Sequence, residues 1–145
     1  MVSSAGRRNV TVLLMWLMLS TSGFNIATAG SFFGIHSTVH VQILNYLDKD
    51  DLTLTCRSKD TDLGVHKLKP KEQFDFHFKP NFLGTTLYYC RFQWTNNDHT
   101  FNVYSYGSDN ERCRYCYLRV TADQLCKFDY DTKKYDVCNN WDLMK

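Results

Sequence analysis

Six cysteines, Cys56, Cys90, Cys113, Cys116, Cys126 and Cys138, fall between positions 56 and 138 of a 145-residue chain, all of them after an N-terminal stretch with the pattern of a secretory leader. Arg7 and Arg8 form a short basic region, residues 10–19 are almost continuously apolar, and Ala27-Thr28-Ala29 offers signal peptidase small side chains before Gly30. The apolar run is about half of the ~20 residues a membrane-spanning helix requires. A cleaved signal peptide over residues 1–29, rather than an anchor, is therefore expected, and residues 30–145 form the secreted domain. An even cysteine count in a secreted domain this small is a disulfide framework, each bridge contributing roughly 2 to 4 kcal/mol. Six cysteines admit about fifteen pairings, and spacing alone chooses none of them.

Metal and redox uses of these cysteines fit less well. Cys113-Arg114-Tyr115-Cys116 has zinc-knuckle spacing, but the second pair is missing because Cys126 and Cys138 are too far apart. A thioredoxin-like use of the same motif needs a βαβ context that the chain lacks. No cofactor is expected.

Removal of the leader takes away two arginines and no acid, so the formal charge of +2 falls to zero. A neutral domain displaces few counterions from phosphates, which argues against a nucleic-acid partner. No second long apolar run follows, so membrane insertion is not expected. The sequon Asn9-Val10-Thr11 lies inside the leader, so the mature chain is expected to carry no N-glycan.

Alternation of apolar and polar residues dominates the remainder. The central stretch runs from Leu52 to Gly64: Leu52, Leu54 and Cys56 share one face, and Ser58, Asp60, Asp62 and Gly64 supply turn chemistry after it. Val39, Val41 and Ile43 make a preceding strand, expected to form a hairpin with Leu52–Arg57 across the charged turn Asp48-Lys49-Asp50-Asp51. Further strands are expected at Val65–Leu68, at Phe74–Phe78, at Thr86–Trp94, at Thr100–Tyr104, at Arg112–Val120 and at Gln124–Phe128, with Asn96–His99 as a polar loop. Tyr88, Cys90, Phe92 and Trp94 read as core, because a stacking platform for bases or sugars needs exposed rings with basic residues among them. Residues 30–37 read as a loose arm, and the tail is expected to be pinned by Cys138 and Trp141. With no segment of helical period, the expected fold is an all-β, small, disulfide-braced antiparallel β-sandwich.

Residues 56–64, 84–94 and 113–120 resemble the successive signatures of the plant self-incompatibility S-protein homologues. The resemblance covers nearly all of the mature chain, apart from Leu118 in place of a frequent aromatic, a missing glycine before Cys126, and Cys138 as an addition to the usual set. It implies a small secreted β-sandwich acting as an extracellular signalling or cell-cell recognition ligand. In the poppy system the pistil members of that family act on a pollen plasma-membrane protein. A plasma-membrane receptor on a neighbouring plant cell is the partner so implied, with the ligand monomeric. Cys113 is expected to bridge to Cys138, leaving Cys56, Cys90, Cys116 and Cys126 as the inward set.

The rival class is a secreted defence protein or wall-acting hydrolase. His36, His40, His66, His77 and His99 share no motif with a nucleophile, no Gly-x-Ser-x-Gly elbow occurs, and nothing matches the histidine segments of secreted plant ribonucleases. No catalytic residue is therefore assigned. Asp48, Asp50 and Asp51 lack the glycine and glutamate positions of a calcium loop. As a recognition surface the loops are favoured over the sheets: Asp48, Lys49, Asp50 and Asp51; Ser58, Lys59, Asp60 and Asp62; Asn96, Asn97, Asp98 and His99; and Ser108, Asp109, Asn110 and Arg112.

Overall fold

The computed structural model describes residues 37–109 and 113–144. The expected leader over residues 1–29, residues 30–36 of the expected arm, Asn110 and Arg112 lie outside the described residues. Nine strands follow in order: β1 (Val39–Asn45), β2 (Leu52–Arg57), β3 (Asp62–Leu68), β4 (Gln73–Phe78), β5 (Leu87–Trp94), β6 (Asn97–Ser105), β7 (Tyr115–Val120), β8 (Gln124–Asp129) and β9 (Lys134–Asn140). A single helical turn, α1 (Tyr106–Asp109), follows β6, and a 3-10 turn (Trp141–Met144) follows β9. The strands form a five-stranded sheet, β4-β1-β7-β8-β9, and a four-stranded sheet, β3-β2-β5-β6.

The fold is all-β, disulfide-braced and built as two facing sheets, as the alternation predicts. One pair departs from antiparallel order: β1 runs parallel to β7, with Val41 opposite Cys116 and Ile43 opposite Leu118. A parallel pair needs a long crossover, and here β2 to β6 supply it. The hairpin expected between β1 and β2 does not form, because the two strands belong to different sheets. Asn45 explains the change of sheet. It is fully buried, and its side chain donates to Asp50 O and Leu68 O and accepts from Leu47 N–H, each at 3.0 Å. A satisfied buried amide of this kind fixes the chain where it leaves one layer for the other.

Between the layers lie the alternate residues that the pattern singles out: Val39, Val41 and Ile43; Leu52, Leu54 and Cys56; Tyr88, Cys90, Phe92 and Trp94; Cys116, Leu118 and Val120. Phe76 is buried and Phe74 and Phe78 pack beside it, the rings of Phe76 and Phe78 meeting Tyr88, and that of Phe78 also Tyr104, from the other sheet. Trp141 closes one end against Phe92, Trp94 and His99, and its indole donates to Thr121 O at 2.9 Å. Tyr104 is wholly buried, and burial, with Asp109 and Tyr106 nearby, pushes its phenol up to about 12.

The disulfides are Cys56–Cys90, Cys113–Cys116 and Cys126–Cys138. The expected Cys113–Cys138 bridge is thereby corrected. Cys56 and Cys90 stand directly opposite on β2 and β5, and Cys126 and Cys138 directly opposite on β8 and β9, with Cα atoms 4.0 Å apart in both pairs. Both therefore brace neighbouring strands within one sheet. Cys126 does not belong to the inward set: Leu125 takes the core position, and Cys126 meets the exposed Cys138 on the outer face.

Two further readings change. Asn96–His99 is not a loop: Thr95 and Asn96 make a two-residue turn, Thr95 with φ 43°, and Asn97, Asp98 and His99 already pair with β5. Gly64 takes the positive φ expected of it, 78°, but within β3 beside the irregularity in its pairing with β2, the reversal itself falling at Ser58–Thr61.

Candidate functional site

Because the strands run end to end, the connections gather at two ends of the sandwich. At the first end, residues 46–51 form the β1–β2 connection. Asp48, Lys49, Asp50 and Asp51 are all exposed there, and Asp51 pairs with Lys67 of β3 at 3.0 Å. Lys49, Asp50 and Asp51, with Lys67, Gln93, Trp94 and Thr95, line a shallow polar depression of about 620 Å3, which Asp48 does not reach. Asn96 is exposed beside it, at the tip of the β5–β6 turn.

At the second end are the Ser58–Thr61 turn, closed by Ser58 N–H donating to Thr61 O at 2.8 Å, and α1. Lys59 and Asp60 are exposed, while Asp62 pairs with Arg57 at 3.0 Å and accepts Gly64 N–H at 2.9 Å. Asp109 is a structural group rather than a surface contact: it is 8% exposed and accepts from Ser105 N–H, Ser108 Oγ and Lys127 Nζ. Removing one partner of such a buried pair leaves the other charge uncompensated.

The same end carries residues that the loop inventory missed. Phe82 is 83% exposed and Leu83 68% exposed, in the connection between β4 and β5. Asn81 orders this loop: its N–H donates to Thr86 Oγ1 at 2.8 Å and its Nδ2 to Thr85 Oγ1 at 2.7 Å, while Thr85 N–H donates back to Asn81 Oδ1 at 2.9 Å. Gly84 completes the loop with φ 67°, and a Cβ there would meet the Tyr106 ring at 2.7 Å. Leu87 and Tyr89, both partly exposed, continue the apolar surface along β5. The available signal was two large apolar residues in succession between Pro80-Asn81 and Gly84, where a turn needs none.

The two outer faces differ in kind. On the four-stranded sheet, Arg91 grips Asp98 through both Nε, at 2.8 Å, and Nη2, with Gln93 adding a bond at 3.2 Å. Hydrogen bonding to Arg91 holds the Asp98 carboxyl below its ordinary range, and the same bond holds the guanidinium above its own. On the five-stranded sheet rings gather instead. His40 stands opposite His77 and stacks with Tyr115 at 4.9 Å, and Phe128 meets Tyr117, Tyr130 and Tyr135 edge-on.

Among the described residues no histidine ring hydrogen-bonds a serine, cysteine or carboxylate. His66 stacks on Phe74 at 3.8 Å and bonds Leu63 O, and His99 lies between Trp94 and Trp141. No cluster of three His, Cys, Asp or Glu side chains in metal-holding geometry occurs among the described residues. No helix among them is long and apolar enough to cross a membrane.

Comparison with known proteins agrees with this fold. The chain matches the family described as plant self-incompatibility protein S1 over residues 40–141. It is 33% identical over 132 residues to S-protein homolog 29 of Arabidopsis thaliana, covering 91% of this chain and 92% of that one. Against S-protein homolog 2 of the same plant it is 39% identical over 109 residues, covering 70% and 66%. A solved structure of SPH (self-incompatibility protein homologue) proteins, described as a widespread family of small, highly stable, secreted proteins from plants, superposes with TM-score 0.57. That superposition is at 22% identity and covers 72% of this chain and 95% of the other. With the family match running over residues 40–141 and a relative 33% identical over nearly its whole length, the chain belongs to the plant self-incompatibility S1 family, the S-protein homologues.

Proposed function

We propose that this chain is an extracellular recognition ligand that binds a plasma-membrane protein on a neighbouring plant cell. It is a secreted protein of its family, released by removal of residues 1–29, and it acts by contact rather than by turnover. One observation carries the reading: Phe82 and Leu83 project from a loop that its own hydrogen bonds hold rigid. Large exposed apolar side chains cost solubility, and a monomeric soluble protein retains them on an ordered loop where a partner covers them. A rigid loop also loses little conformational entropy on binding, which leaves more of the contact energy as affinity. The exposed Lys59 and Asp60 at the same end supply polar contacts around that apolar centre.

Saturation binding of the labelled, oxidised mature protein to plasma membranes from pollen, stigma and leaf tests this. Replacing Phe82 and Leu83 together by Asp should weaken binding by about two orders of magnitude, the scale of a hot-spot pair, with the disulfides intact. Gly84→Ala keeps both side chains but disturbs their presentation, and should weaken binding less. Unchanged binding by the double variant would overturn the assignment.

A further inference from the structure

The outer face of β7 comes closer to the conditions for a stacking platform than the core strand Tyr88–Trp94: Tyr115 is exposed, Tyr117 is half-buried, and Arg119 continues their row. Tyr115, Tyr117 and Arg119 alternate with the buried Cys116, Leu118 and Val120, so they form one straight row at intervals of about 6.6 Å. Arg119 at the end of the row differs from Arg57 and Arg91, which each hold a carboxylate. Its guanidinium lies 3.7 Å from the centre of the Tyr135 ring and 4.9 Å from that of Tyr46, its Nε is buried without a hydrogen-bond partner, and among the described residues no carboxylate pairs with it.

A second cation reaches the same ring from a different element. Lys71 places its Nζ 3.5 Å from the centre of Tyr46. It does so from a left-handed backbone, φ 72°, held by its N–H donating to Asn45 O at 2.9 Å. A lysine in that conformation is strained where glycine or asparagine is not, and strain of this kind collects at functional positions. Farther along the row, between β1 and β4, a depression of about 190 Å3 offers the Gln42 amide and the Asp75 carboxylate, bonded to each other at 2.8 Å.

We propose that this face binds an acidic oligosaccharide, a linear chain of uronate sugars. Arg119 and Lys71 take ring carboxylates, the guanidinium through its two terminal nitrogens, since its Nε is buried. Tyr115 and Tyr117 meet the apolar faces of the sugar rings, and Gln42 and Asp75 bond hydroxyls. The charge is complementary, since among the described residues neither cation is ion-paired, and a row of side chains along one strand suits a linear polymer. An acidic peptide would satisfy the cations without using the row of rings. This surface and the Phe82–Leu83 loop are separate, so either stands without the other.

The test is calorimetric titration of the oxidised mature protein with three probes: α-1,4-linked galacturonate oligomers, the same oligomers methyl-esterified, and poly-glutamate of equal charge. The free-acid oligomer should bind, and esterification should weaken it by at least about tenfold, the loss expected when a bidentate charged contact is removed. Arg119→Gln should cost about tenfold, and Tyr115→Ala and Lys71→Asn about three- to fivefold each. Lys71→Asn also relieves the left-handed backbone, so its loss of binding cannot come from misfolding. Poly-glutamate binding as tightly as the sugar would overturn the proposal in favour of an acidic peptide. Equal binding of the ester, or no binding of the acid, would overturn it as well.

Discussion

The two outer faces of the sandwich solve the problem of exposed charge in opposite ways. On the four-stranded sheet every described arginine finds a carboxylate within the sheet: Arg57 pairs with Asp62 and Arg91 with Asp98. At the five-stranded sheet Arg119 and Lys71 rest on tyrosine rings and, among the described residues, neither is ion-paired. The first face is closed by its own residues, and the second keeps its bonding capacity for something outside the chain. Charge content alone does not separate these faces, since both carry cations. Pairing does, and pairing is a property of register.

The bridges differ along the same divide, and here the largest effects are expected. Cys56–Cys90 is in the core of the four-stranded sheet and closes 34 residues, whereas Cys126–Cys138 is on the outer face of the five-stranded one and closes 12. Replacing the first pair by alanines should cost about 4 kcal/mol and the second about 3 kcal/mol on loop-closure grounds, with a cavity penalty added for the buried pair. Denaturant unfolding of both double variants measures this. A surface bridge worth more than the core one would break the ordering. The second variant also frees β9, which carries Tyr135, so its affinity for the galacturonate oligomer should fall while that of the first, if folded, is retained.

The pH dependence of stability should likewise split by face. Asp98 has its folded pKa depressed by Arg91, so its contribution is present above the unfolded carboxylate value and is lost as pH falls through the lower folded value. Tyr130, on the other face, has its phenol raised by burial. Its contribution is present below the unfolded phenol value of about 10 and is lost as pH rises toward the folded value. Asp98→Asn should therefore flatten the acid limb of a stability profile, and Tyr130→Phe the alkaline limb, both modestly. Interchanged effects would show that the faces have been misread.

Much of the scaffold was legible in the chain. The alternation of Leu52–Cys56, Phe74–Phe78, Tyr88–Trp94 and Cys116–Val120 assigned each side chain to its face, because one buried side of a strand forces a period of two. Asn97–His99 escaped because Asn, Asp and His carry turn chemistry, and only the Arg91–Asp98 contact across β5 and β6 shows why they extend a strand. β9 escaped too: as an edge strand it buries little, so Lys134–Asn140 shows no apolar face. The parallel β1–β7 pair joins segments some seventy-five residues apart in sequence, as His40 opposite Tyr115 shows, and no local pattern announces such a contact. That pairing assembles the candidate saccharide face, since it brings His40 beside Tyr115 and Tyr46 beside Arg119. The Cys126–Cys138 bridge was misassigned for a related reason, its face being set by which of Leu125 and Cys126 the sheet turns inward.

The most direct test of the difference between the faces is a chemical-shift map of the isotope-labelled, oxidised mature protein titrated with galacturonate oligomers. Shifts should concentrate at Tyr46, Lys71, Tyr115, Tyr117, Arg119 and Tyr135, leaving Arg57, Arg91 and Asp98 unmoved. Shifts centred on the ion-paired face, or spread evenly over both, would contradict the account.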